Sequence, residues 1–163
     1  MIRLGLLALL FVLAADQGSK WWVLNTLDLP NVHSISVLPG LNLTMVWNQG
    51  VTFGLLHQDG PQGAWILAAV ALAVVVFLAI WIARTNRALL AVALGAITGG
   101  AIGNVLDRLR FGAVADFIHL HAMGYSWYVF NVADAAIVCG VIVLMVDGLL
   151  PTRPTLQGPA LRQ

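Results

Sequence analysis

The chain has 163 residues, 60% of them hydrophobic and only 9% charged, with a mean hydropathy of +0.90. Soluble domains carry about 25% charged residues, so an ordinary water-soluble fold is excluded and an integral membrane protein is indicated. The formal net charge of +1 gives no reason to expect a nucleic-acid partner.

Four apolar segments reach the roughly 20 residues needed to cross a hydrocarbon core. They cover about residues 4–24, 64–83, 88–107 and 127–146, so the fold expected is all-α and membrane-embedded. The first is interrupted by Asp16-Gln17-Gly18-Ser19-Lys20, whereas the second carries no charge. Only Arg84-Thr85-Asn86-Arg87 joins the second to the third, a tight turn. Arg3, Arg84, Arg87, Arg153 and Arg162 fall on one side, and the loop 25–63 has no Lys or Arg. The positive-inside rule then puts both termini in the cytoplasm. Arg108 and Arg110 are exceptions at the outer end of the third segment, placed to meet lipid phosphate. Arg3, the apolar run and Val12-Leu13-Ala14 also have the pattern of a cleavable signal peptide. The expectation is that this segment is retained, because Asp16 and Lys20 belong to the polar inventory below.

Outer loops are expected at about 25–63 and 108–126. In the first, Pro39-Gly40 is a turn signal between strands at 35–38 and 41–47. Leu41, Leu43, Met45 and Trp47 alternate with Asn42, Thr44 and Val46, which predicts an amphipathic sheet on the outer membrane surface. Residues 114–120 add a strand, with Asp116 on the face of Val114, Ile118 and Leu120. A short surface helix is expected within 55–65. The tail 151–163 is too rich in Pro and polar residues for a packed element and is read as disordered. Residues 1–150 read as one domain without internal repeats. The single cysteine, Cys139, lies in an apolar run and reads as a small buried hydrophobe.

Carboxylates in apolar spans are costly and mark functional sites by default. At about 1.5 Å per residue, Asp16 lies about 18 Å above the inner boundary and Lys20 about 24 Å. Asn104 reaches about 24 Å, Asp107 about 28 Å, and Asp134, counted down from Trp127, sits about 10 Å below the outer boundary. Three helices thus place polar residues in one outer layer. Asp16 and Lys20 are i,i+4, and Asn131 and Asp134 i,i+3. Gly100, Asn104, Asp107 and Arg108 share a helix face, and Gly95, Gly99 and Gly103 form a row that admits another helix closely. Structural ion pairing is expected for Asp16/Lys20 and for Asp107/Arg108.

The stretch 112–134 organises the rest, because Asp116 and Asp134 flank an aromatic run. Brought together, two carboxylates share a proton and act as acid and base. Buried carboxylates also occur in purely structural networks, so the pair alone leaves that alternative open. His119-Leu120-His121 puts two imidazoles on one strand face, but His33 and His57 lack ligand spacing and zinc needs three or four donors. Neither a metal nor another cofactor is expected. Ser19 and Lys20 are adjacent, so on a helix they diverge and a Ser–Lys nucleophile is the minor alternative. A proton-coupled transporter or ion-pathway protein also buries Asp and Lys. Against that class, the polar layer stays in the outer half and leaves no relay to the cytoplasm.

The chain resembles the lipoprotein signal peptidase (signal peptidase II) family. The matching blocks are Asp16-Gln17-Gly18-Ser19-Lys20, Asn48-Gln49-Gly50-Val51-Thr52-Phe53, Gly99-Gly100-Ala101-Ile102-Gly103-Asn104-Val105-Leu106-Asp107-Arg108, Gly112-Ala113-Val114-Ala115-Asp116-Phe117 and Phe130-Asn131-Val132-Ala133-Asp134-Ala135. The resemblance implies a four-helix aspartyl peptidase of the bacterial inner membrane, its site toward the extracytoplasmic side beneath a β-cradle and a small surface helix. It would cut prolipoproteins before the diacylglyceryl-modified cysteine, and globomycin would occupy its site. Asp116 and Asp134 match the catalytic pair, and Asp16, Lys20, Asn48, Asn104, Arg108 and Asn131 match its supporting residues.

Overall fold

Hydrocarbon offers the backbone no hydrogen-bond partners, so long apolar segments must satisfy their own amides as helices. The computed structural model describes residues 1–50 and 62–149, and four of its helices are long and apolar enough to span a membrane. In chain order, α1 (Ile2–Trp21) runs on through a π-helical turn, Trp22–Thr26, and a short α2 (Leu29–Val32) follows. Strands β1 (Ser34–Leu38) and β2 (Leu41–Asn48) form a hairpin. Helices α3 (Gln62–Arg84) and α4 (Ala88–Phe111) come next, then β3 (Val114–Ala122), β4 (Tyr125–Ser126) and α5 (Val132–Leu149). The strands pair antiparallel in the order β1-β2-β3-β4. Four spanning helices with a small sheet are therefore observed as the sequence implied. The surface helix expected within 55–65 falls mainly in the stretch left undescribed, and the tail 151–163 lies outside the described residues.

α4 is the axle of the bundle. Of its most apolar window 67% is buried, against 11–17% in the other three spans, because α1, α3 and α5 all pack on it. The glycine row explains the closeness of α1. A β-carbon on Gly95 would strike the Gly5 backbone, one on Gly99 the Leu9 backbone, and one on Gly103 the Asp16 carboxylate. Gly100 faces the other way, toward Ala133 and Ile137 of α5. Leu78, Ile82, Leu94 and Ile97 form the core between α3, α4 and α5. A second core, of Val23, Leu29 and Phe117, ties the π turn and α2 to the underside of the sheet.

α4 ends at Gly112, whose positive φ of 73° closes the helix and lets the chain turn directly into β3. β2 carries an extra residue opposite β3 between the Leu43–Ile118 and Val46–Asp116 pairs. Such a bulge re-aims the side chains beside it, and this one sits next to Asp116.

Two expectations about the fourth spanning segment need correction. The fourth spanning helix begins at Val132, not Trp127. Residues 127–130 instead run back along β3, with Phe130 bridging Ile118. Trp-Tyr-Val-Phe is as apolar as a helix turn, so hydropathy alone joins it to the span. Cys139 is exposed on α5 rather than buried. In a spanning helix the outward face is apolar as well, so an apolar run does not say which face is inside.

Candidate active site at the sheet end of the bundle

Asn131 sets the start of α5. Its Oδ1 accepts the Asp134 N–H at 2.9 Å, and Asp134 Oδ2 accepts the Asn131 N–H at 3.3 Å. This is a reciprocal cap, in which each residue satisfies a backbone donor that the first helical turn leaves free. Asp134 is therefore about 3 Å along α5 from its first residue, not about 10 Å below the boundary as counted from Trp127. Its other oxygen, Oδ1, accepts Asn104 Nδ2 at 2.8 Å.

Asp116 comes from β3 and is 1% exposed. Asn131 Nδ2 donates to its Oδ1 at 2.6 Å and Asn48 Nδ2 to its Oδ2 at 3.0 Å. Asn48 is fixed in turn by the Gly50 N–H, which donates to its Oδ1 at 2.8 Å. Burial pushes the Asp116 carboxyl up to about 6, from an ordinary 3.8. The Asn48 amide draws it down, the Asp134 charge pushes it up, and the Asn131 amide and Lys20 draw it down. Asp116 and Asp134 line one cleft of about 910 Å³, walled by Trp47, Trp127, Tyr128 and Phe130.

Beneath the pair lies a buried charge cluster. Lys20, 3% exposed, places Nζ 2.9 Å from Asp16 Oδ2, 2.8 Å from Asp107 Oδ2 and 3.2 Å from Asn104 Oδ1. Each carboxylate uses another lone pair on the backbone. Asp16 Oδ1 accepts the Ala133 N–H at 3.0 Å, and Asp107 Oδ2 accepts the Ala115 N–H at 3.1 Å. Ala133 precedes Asp134 and Ala115 precedes Asp116. One lysine thus steadies, through two aspartates, the residue before each member of the pair, and reaches Asp134 through Asn104.

The structure brings together Asp16, Lys20, Asn48, Asn104, Asp107, Asp116, Asn131 and Asp134. Gly100 contributes only space for α5. Asp107 pairs with Lys20, not with Arg108 as expected. Neighbours on a helix point about 100° apart, so the ion pair forms across helices. Arg108 Nη1 donates to the Asn104 carbonyl at 3.2 Å, and its buried Nε has no partner among the described residues.

Gln17, named in a motif but given no role, bridges the cluster. Its Nε2 lies 3.1 Å from both Asp16 Oδ2 and Asp107 Oδ1. An uncharged residue beside Asp16 gave no signal beyond that block. Ser19 Oγ donates to the Asp16 carbonyl at 2.8 Å. His119 contacts Ser126 Oγ at 2.6 Å and lies tilted at 52° to the His121 ring, centroids 5.7 Å apart. Among the described residues no three His, Cys, Asp or Glu side chains converge as a metal cage. Between this layer and Asp147, Thr98 is the only buried polar side chain among the described residues, and it donates to Leu94 O.

Comparison with known proteins agrees with this architecture. One solved bacterial membrane enzyme matches with a TM-score of 0.73 at 30% identity, over 91% of this chain and 94% of that one. A second matches at 0.72 and 28% identity, over 96% and 93%. The fold is that of an integral membrane enzyme. A lipoprotein signal peptidase of Methylorubrum extorquens is 53% identical over 149 residues, 91% of this chain and 87% of the relative. Another, of Nitrobacter hamburgensis, is 45% identical over 162 residues, 97% and 98% respectively. A family model described as signal peptidase (SPase) II matches residues 8–150. The chain belongs to the signal peptidase II family and is a peptidase.

Proposed function

We propose that the protein is an aspartic endopeptidase of the bacterial inner membrane that removes the signal peptide from lipid-modified prolipoproteins. It cuts before the diacylglyceryl-cysteine, with its sheet on the extracytoplasmic side and both termini in the cytoplasm. The observation that carries this reading is the cleft shared by Asp116 and Asp134. Asp116, raised by burial, takes the shared proton and donates a hydrogen bond to the scissile carbonyl. Asp134, held by Asn104 and the Asn131 N–H, takes a proton from the attacking water. Collapse of the tetrahedral intermediate breaks the C–N bond, and the proton taken up by Asp134 passes to the leaving amine. Asn48 and Asn131 orient Asp116 throughout. A globomycin-type peptide is expected to fill the same cleft.

A carboxylate pair at the mouth of the span is reachable by a substrate held at the membrane surface. Lipid on the cysteine adds about 0.8 kcal/mol of membrane affinity per buried methylene and fixes the depth of the neighbouring bond. Purified enzyme in one detergent should cleave diacylglyceryl-prolipoprotein at least about tenfold faster than the unlipidated chain, a difference of about 1.4 kcal/mol. Equal rates would refute the lipid requirement, and no cleavage of either would refute the activity.

A further inference from the structure

We propose that the tip of the β3–β4 hairpin, from Met123 to Tyr128, is a membrane anchor that sits in the lipid headgroup layer. α5 fixes its depth. At its far end the buried Asp147 is forked by Arg87, so that end lies near one boundary of the hydrocarbon core. The 18 residues of α5 span about 27 Å of a core about 30 Å thick, so Val132 lies near the other boundary. Trp127 and Tyr128 precede Val132 by only a few residues, and they are 69% and 84% exposed. Trp and Tyr at that level favour the interface.

The turn itself points the same way. Met123 and Gly124 both have positive φ, 51° and 82°, the two-residue turn that favours Asn, Asp or Gly. Methionine there is disfavoured, and at 99% exposure it touches nothing in the protein that offsets the cost. Lipid supplies the missing contact. No Asp, Lys or Arg occurs between Phe117 and Ala133, so no carboxylate, ammonium or guanidinium in the hairpin opposes entry or selects anionic lipid. Behind the tip, a largely apolar cleft of about 1070 Å³ is lined by Pro39, Leu120, Tyr125, Trp127 and Phe130.

The test is a depth measurement. In a Cys139→Ala background, Met123→Cys carries a nitroxide label, and the protein is reconstituted in phosphatidylcholine vesicles. Tyr125→Cys serves as a second labelled site. The ratio of oxygen to water-soluble nickel accessibility is read. The label on native Cys139, about 10 Å along α5 from Val132, gives the hydrocarbon reference. The same label on glutathione gives the aqueous one. The ratio at both hairpin sites should exceed the aqueous value several-fold, stay below that at Cys139, and be unchanged when phosphatidylglycerol is added. An aqueous ratio at both sites, or a rise only with anionic lipid, would overturn the anchor.

Discussion

α4 has buried charge at each end, and the two ends are built differently. At its start, Arg87 forks the Asp147 carboxylate, one acid and one base, with the arginine 52% exposed. Toward its end, Lys20 lies between Asp16 and Asp107, all three almost wholly buried. The first group is a balanced pair, its arginine half exposed and its aspartate buried, that fastens α4 to α5. The second holds two carboxylates for one cation, and the carboxylates spend their remaining lone pairs on the backbone before Asp116 and Asp134. A clamp needs only neutralised charge. A site that holds reacting groups in register needs donors and acceptors that reach the main chain.

The largest effect should come from the pair itself. Asp116→Asn and Asp134→Asn keep the shape but cannot exchange a proton, so prolipoprotein cleavage should fall at least about 100-fold in each. Near-normal turnover in either variant would falsify the two-aspartate mechanism. Next, Lys20→Met leaves Asp16 and Asp107 buried without a cation, at a cost on the order of 3–5 kcal/mol. Both melting temperature and turnover should drop. A loss of stability with unchanged turnover would reduce the cluster to a clamp like the one at Arg87.

Smaller still is the effect of pH. Asp116 is raised from 3.8 to about 6, so the folded chain holds this proton more tightly than the unfolded one. Its contribution to stability is complete below about pH 4 and lost as pH rises through about 6. On going from about pH 8 to about pH 5, the wild type should gain about 1 kcal/mol relative to Asp116→Asn, read as a difference in melting temperature. The reverse sign would mean that Asp116 is held charged. Asp147→Asn should have the least effect, about 1 kcal/mol of stability, since the arginine it pairs with is half in water. Its cleavage rate should match the wild type. A slower enzyme would link the two ends of α4.

Much of this architecture is legible in the residues, and the exceptions have physical causes. Pro39-Gly40 places the turn between β1 and β2, the alternation of 41–47 gives β2 almost to the residue, and the strand expected at 114–120 is β3. The two-residue β4 has no period to read. The start of α5 was misplaced because hydropathy cannot tell an interfacial aromatic loop from a helix. The signal was present in Asn131-Val132-Ala133-Asp134, a capping pattern. Asp107's true partner lies 87 positions away in the chain. Local spacing suggests Arg108 instead, and only the packing of α1 on the glycine row brings Lys20 there. Residues of the candidate site were nameable from composition and motif, but the backbone grips on Ala115 and Ala133 were not, since a main-chain N–H leaves no mark in a sequence.

The layer draws on α1, β2, α4, β3 and α5, and its last member, Asp134, is among the last parts of the membrane domain to be synthesised. Until Asn131 and α5 are in place, Asp116 lacks one of its two amide donors and Asp16 lacks the Ala133 N–H. A chain carrying only its first three spans therefore lacks the assembled layer. On the two-aspartate mechanism proposed above, such a chain would stay inactive until α5 has packed against α4.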